Sequence, residues 1–384
     1  MSLKTILIIL ISLLVVVIGV LVVYNLLSDD EIVTPPTSNP EQIPVSDPTT
    51  SQTAKSSYQG RLIPISQEPV SYPTTDGRKV KYYSTNNGNV FESNFDGSEL
   101  TRISSIVLDN LIKALWSPNR DKVIAIFDEN GQAKKYLYDY NTKISTALDK
   151  NIQWVNWSPK EDRIAYQYYN SVNQDNNISI AGANSLDWTN IFQTRMKDLI
   201  VEWPDSNKVA IRTKPSGLAQ SVVYTIDLAT GDFQKIIDQT YGLTLLWSPL
   251  GDKVLYSETD NTGKNLKLKT IAVGDLGNQT VKELDLMTLP EKCVWGQDNR
   301  TIFCAIPRSI SNLAILPDDY YKKKISFNDD FWRINLDTGE AIKIYEAKGS
   351  EVNAYNAKEL ILPPLEDYLL FINQKDGLLY SLEL

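Results

Sequence analysis

Short apolar runs broken by polar turns fill most of this chain, and one pair of runs recurs. Ala114-Leu115-Trp116-Ser117-Pro118 is followed by Asp121-Lys122-Val123-Ile124-Ala125-Ile126-Phe127. Val155-Asn156-Trp157-Ser158-Pro159 and Leu245-Leu246-Trp247-Ser248-Pro249 are followed in the same way by Asp162-Arg163-Ile164 and Asp252-Lys253-Val254. Weaker copies centre on Trp203 and Trp295, and two more, at Tyr72 and Leu362, have no Trp. The phrase reads as a strand ending on a large side chain, a Pro-initiated turn closed by Asp or Asn, and a second apolar strand running back. The seven anchors Tyr72, Trp116, Trp157, Trp203, Trp247, Trp295 and Leu362 lie 44, 41, 46, 44, 48 and 67 residues apart. A period of about 40–50 residues with four strands per repeat predicts a β-propeller.

The polarity of each run fits that architecture. Val123–Phe127 is apolar on both faces, as expected of a strand sandwiched between neighbouring blades, whereas the more polar Lys143–Ala147 fits an outer strand. The repeat predicts blades at about 67–106, 110–149, 152–193, 198–239, 243–285 and 291–346. A seventh holds three strands, 359–363, 368–373 and 378–384. A spare apolar segment, Arg61-Leu62-Ile63-Pro64-Ile65-Ser66, is expected to pair beside 378–384 and close the ring, which removes exposed strand edges. The predicted fold is all-β: a seven-bladed propeller of four-stranded antiparallel blades. Six or eight blades follow if the ends are assigned differently.

Two segments precede the repeats. Residues 6–27 carry no charge over a length that spans roughly 33 Å as a helix, enough to cross a bilayer. Lys4 precedes them and Asp29, Asp30 and Glu31 follow, so the expected orientation is N-terminus inside and the rest outside the cytoplasmic membrane. No small-x-small cleavage site follows the apolar run, so an uncleaved signal anchor, residues 1–28, is favoured over a cleaved signal peptide. Residues 29–60 are rich in Pro, Ser and Thr and predict a disordered tether. Residues 61–384 form the propeller domain.

Asn94-Phe95-Asp96-Gly97-Ser98-Glu99-Leu100-Thr101-Arg102-Ile103-Ser104 resembles the third-to-fourth strand turn of TolB-like propeller repeats. The Trp-Ser-Pro-x-x-Asp-Lys-[Val/Ile] phrase is similar to the first-to-second strand turn of that family. The resemblance covers about residues 67–384. It implies a propeller that is WD-repeat-like in shape without the Gly-His and Trp-Asp signature, of the membrane-anchored bacterial type, and it implies little about activity.

Composition narrows the chemistry. The chain has no histidine, which removes His-based catalytic triads, HExxH zinc sites and haem ligation by His. The net charge of −9 argues against a nucleic-acid surface. No phosphate-binding glycine motif or nucleophile motif is present, and no cofactor or catalytic residue is expected. Cys293 and Cys304 are the only cysteines and flank one turn symmetrically. They read either as a disulfide or as two buried thiols.

The sixth blade carries a long insertion, from about Pro307 to Asp329, with Leu316-Pro317-Asp318-Asp319-Tyr320-Tyr321 and Phe327-Asn328-Asp329-Asp330-Phe331-Trp332. Long loops bearing aromatics and acids on a rigid scaffold often bind partners. Asp318, Asp319, Tyr320, Tyr321, Phe327 and Trp332 are therefore the candidate contact residues. The competing expectation is that the aromatics fold back and plug the insertion onto the ring. The acid pairs match no calcium-loop spacing, so no metal is expected. The leading expectation for function is a non-catalytic scaffold that binds a protein or peptide partner in the cell envelope. A glycan or small-ligand binding module is the second reading, and a glycosidase using two carboxylates in the channel is the third.

Overall fold

A computed structural model of the protein describes residues 62–104, 108–273, 280–346 and 354–384. The expected anchor at 6–27 and tether at 29–60 lie outside the described residues. Among the described residues no helix is long and apolar enough to cross a membrane.

Seven four-stranded antiparallel sheets account for the repeats. In blades one to six the strands follow chain order, as in blade two: Leu111–Trp116, Lys122–Glu129, Gln132–Asp139, Ile144–Ala147. The seventh sheet joins the two ends of the domain. Its first three strands are Ala357–Ile361, Tyr368–Asn373 and Leu379–Glu383, and its fourth is Leu62–Pro64. Leu62 pairs with Leu382, Ile63 with Ser381 and Pro64 with Tyr380. The closure expected from the spare apolar segment is present, so the count is seven. The first strand of blade seven starts two residues earlier than the repeat suggested.

The core is distributed between the blades. Seven apolar clusters each join one blade to the next around the circle, from the blade one–two cluster at Tyr83, Val90, Ala114 and Val123 to the blade seven–one cluster at Ile65, Val80, Leu370 and Leu379. This explains why second strands are apolar on both faces: Val123, Ile124 and Ala125 alternate in direction, yet all three are buried.

The recurring phrase has two jobs. In Ser-Pro-x-x-Asp, the Ser117 hydroxyl donates to Asp121 Oδ1 (3.0 Å) and accepts from the Lys122 N–H (3.0 Å), locking the turn. Ser248, Asp252 and Lys253 repeat the arrangement at 2.9 and 3.1 Å. The tryptophans tie one blade to the previous one through the indole N–H, which donates to a first-strand carbonyl. Trp116 bonds Tyr72 O (2.8 Å), Trp157 bonds Leu115 O (2.7 Å) and Trp295 bonds Leu246 O (3.3 Å). Two depart from the rule: Trp247 donates to the Glu202 carboxylate at 3.1 Å, and the buried Trp203 indole N–H has no hydrogen-bond partner among the described residues.

Cys293 and Cys304 face each other on the first two strands of blade six, with Cα atoms 4.1 Å apart, and are joined as a disulfide. Both side chains are buried within the blade five–six cluster.

Candidate functional site

The insertion, 308–328, leaves the ring between the second and third strands of blade six and folds across its neighbours. Leu316 N–H donates to Gly263 O in blade five at 2.8 Å. Asp318 Oδ2 accepts from the Gly217 N–H in blade four at 2.7 Å, and Ser216 Oγ also donates to this carboxylate. Gly217 is required here, because a Cβ would stand 2.3 Å from Leu316 O. Asp319 Oδ2 accepts from the Ile315 N–H at 2.9 Å, a bond that, with Lys324 nearby, holds its carboxyl below the usual range. Both aspartates are thus engaged in fixing the short helix Asp318–Tyr321. Among the described residues no cluster of acids, His or Cys could hold a metal ion.

The aromatics divide. Tyr320 and Phe327 are 5% and 3% exposed, stack with ring centroids 5.2 Å apart, and form a small core with Leu266, Leu289, Ala314 and Leu316. Packing takes these two off any contact surface, because a partner cannot reach rings already covered. Trp332 lies in the third strand of blade six, partly covered, with the Lys343 ammonium 5.3 Å from its ring. Tyr321 remains 48% exposed and stands at the mouth of the central channel.

That mouth is a cavity of about 450 Å³ lined by Leu246, Glu291, Tyr321, Lys358, Glu359 and neighbours. Its charges come from the first strands of blades two, four and seven (Lys113, Glu202, Lys358 and Glu359), from Arg212 on the second strand of blade four and from Glu291 in the 3-10 turn before blade six. Glu202 and Arg212 pair across blade four at 3.2 Å. Burial works against the Arg212 charge, and Glu202 outweighs it, so its guanidinium is held above the ordinary value. In blade two, Lys113 is pushed down by burial, with Glu202 opposing. Glu359 pairs with Lys358 at 3.1 Å. Its other oxygen accepts from the Tyr72 N–H at 2.9 Å, across the seam between blades seven and one.

Tyr72 and Glu359 both have φ of 52° and sit at interruptions of strand register. The left-handed backbone at two non-glycine residues marks β-bulges that turn side chains out of the regular pleat. The Tyr72 phenol, which donates to Ile112 O, is pushed up to about 12 by burial and by Glu359. Although about half of the Tyr321 side chain is open to solvent, its phenol is pushed well up, by desolvation of the hydroxyl end first and by the Glu291 carboxylate second. Arg212 Nη1 is buried at this mouth without a hydrogen-bond partner among the described residues, while the buried Glu291 carboxylate lies against the Tyr321 phenol.

Sequence reasoning did not single out Lys113, Glu202, Arg212, Glu291, Lys358 or Glu359. They come from four separate stretches of the chain and meet only because the ring closes. The available signal was a charge inside a first strand whose repeat copies are mostly apolar, as at Glu202 and Lys358-Glu359.

The fold and channel define a seven-bladed β-propeller with a charged, insertion-capped channel mouth. Comparison with solved structures returns other propellers. The chain matches an oligogalacturonate lyase in complex with manganese at a TM-score of 0.57 and 14% identity, covering 80% of this chain and 86% of that one. It matches the tricorn protease at 0.52 and 11%, covering 84% of this chain but 33% of that one. It matches TolB from Acinetobacter baumannii at 0.44 and 14%, covering 68% and 60%. The chain thus spans about a third of the tricorn protease. At these identities the likeness is one of fold. No protein-family model matches the chain, and comparison with curated proteins finds no match.

Proposed function

We propose that this protein is a non-catalytic propeller that binds a protein or peptide partner on its insertion-bearing face, over the channel mouth. The observation that carries the reading is the set of exposed apolar side chains on the insertion and the loops it touches, together with the charged mouth that Tyr321 lines. Leu313, at 78% exposed, Tyr321, Leu218 and Met287 stand on the insertion and the loops it touches. Glu291 and Arg212 lie beside Tyr321 at the mouth. Apolar surface with a polar centre is the pattern of a contact site.

Carboxylate-dependent glycosidic hydrolysis needs two carboxyl groups free to act on substrate. At this mouth Glu202 is engaged by Arg212 and Trp247, and Glu359 by Lys358 and Tyr72, which favours binding over hydrolysis. We further propose that residues 6–27 anchor the propeller outside the cytoplasmic membrane. This rests on the uncharged run with Lys4 before it and Asp29, Asp30 and Glu31 after it.

The test is affinity capture from native membranes with the full-length protein beside Leu313→Asp and Tyr321→Ala. A partner captured by the parent and lost in both variants supports the reading. A partner retained by both removes the site from this face. Retention of the protein in the membrane pellet after alkaline wash tests the anchor.

A further inference from the structure

A second cavity, of about 480 Å³, lies elsewhere, between blades one and two. Its floor is Val123 and Ala125, on the face of the second strand of blade two that looks toward blade one. Phe127, Tyr136, Tyr138 and Tyr140 rise beside that floor as half-buried rings. Phe127 and Tyr136 meet at 62° with centroids 6.1 Å apart, and Tyr138 and Tyr140 at 90° and 4.8 Å. The Tyr140 hydroxyl lies 2.9 Å from that of Tyr83, which fixes the far wall. Ala125 is what leaves room. It pairs with Tyr136, whereas at the matching step of blade three a large Tyr166 pairs with a small Ser179.

The rim is acidic. Asp109, Asp128 and Glu129 line the opening. Glu129 is positioned by the Tyr136 hydroxyl at 3.2 Å and meets Lys134 at 3.5 Å, and Asp128 Oδ1 accepts from the Gly131 N–H at 2.7 Å. Three carboxylates thus stand at the opening, one of them, Glu129, paired with Lys134.

From this arrangement we infer that the cleft between blades one and two binds a quaternary ammonium group. Tyr140 packs on Trp116 and Tyr138 and serves as a wall, which leaves Phe127 and Tyr136, set at 62° to one another, as the aromatic surfaces offered to a compact cation rather than one flat platform for a sugar. An apolar floor accepts a cation that has no N–H to leave unsatisfied, whereas a primary ammonium would lose its hydration there. The carboxylates at the opening supply the complementary charge. This site is independent of the partner-binding face, and either can fail without the other.

Calorimetric titration of the full-length protein with choline, beside its neutral isostere 3,3-dimethylbutan-1-ol, reads the charge requirement directly. Saturable choline binding with the isostere at least about tenfold weaker is expected, as is a roughly fivefold to tenfold loss in both Phe127→Leu and Tyr136→Leu with unchanged thermal unfolding. Two variants are used so that a folding defect in one does not decide the matter. Equal binding of choline and isostere, or no binding of choline by the parent, overturns the inference. Phosphatidylcholine vesicles separate the sources. Vesicle capture that free choline competes away assigns a lipid headgroup, and choline binding without capture assigns a free ligand. Either result supports the site.

Discussion

Lys292 Nζ lies 2.8 Å from Asp329 Oδ2, and neither side chain is exposed to solvent. The ammonium also donates to Asn356 Oδ1 at 3.1 Å and Ala357 O at 2.7 Å, and the rings of Tyr320 and Phe327 flank it at 5.5 and 5.3 Å. The same Asp329 oxygen accepts from the Ala357 N–H at 2.7 Å. One ion pair therefore joins the link into blade six, the end of the insertion and the first strand of blade seven.

Burial pushes the Lys292 ammonium down and the Asp329 carboxyl up, and their mutual attraction works against both shifts. Removing one partner leaves the other charge buried alone. Lys292→Met and Asp329→Leu should each cost about 3–5 kcal/mol in denaturant unfolding, with the double variant much less harmful than the sum. Additive losses would show that the pair is not the coupling element.

The insertion should behave as a docked plug. Tyr320→Ala should remove about 3–5 kcal/mol from its local packing, and Asp318→Ala about 1–3 kcal/mol by leaving the Gly217 N–H without its acceptor. Amide exchange over 308–328 is expected to accelerate in both variants while the blade strands keep their protection. Faster exchange throughout the ring would place the insertion in the global fold instead.

The disulfide closes a short loop, with a sequence separation of 11. Cys304→Ser, or reduction, should lower stability by about 2–3 kcal/mol without changing the blade count. Unfolding curves with and without reductant measure it. A variant insensitive to reductant and equal in stability to the oxidised parent would count against the bridge.

Acid should loosen the turns before the strands. The Asp260 carboxylate accepts from Thr262 Oγ1, the Thr262 and Lys264 N–H groups and Asn265 Nδ2, and its pKa falls from 3.8 to about 2. A folded-state pKa below the unfolded one means that this stabilisation is complete above the ordinary carboxylate value and is lost as pH falls toward about 2. Asp76, Asp227 and Asp298 are shifted in the same direction. Thermal midpoints should therefore decline across this acid window, and the decline should be shallower in Asp260→Asn. Parallel pH profiles for the two proteins would show that Asp260 has no part in it.

The repeat made the propeller legible in the sequence, for a local reason. Each Trp-Ser-Pro-x-x-Asp phrase encodes its own turn through short-range bonds: the Ser N–H donates to the carbonyl five residues on in all three copies, and at Ser117 and Ser248 the hydroxyl also bonds the Asp four residues on. The closing strand was legible too, because Leu62–Pro64 is apolar with no partner nearby in sequence and the other end of the domain lacks one strand. Tertiary structure alone decided which insertion aromatics are covered. Tyr320 and Tyr321 are adjacent in the chain, and one is sealed over Lys292 while the other faces the channel. It also decided the site itself. Lys113, Glu202, Glu291 and Glu359 are far apart in sequence and converge only when seven blades close around one axis. No local pattern carries that information, because it resides in the geometry of the ring.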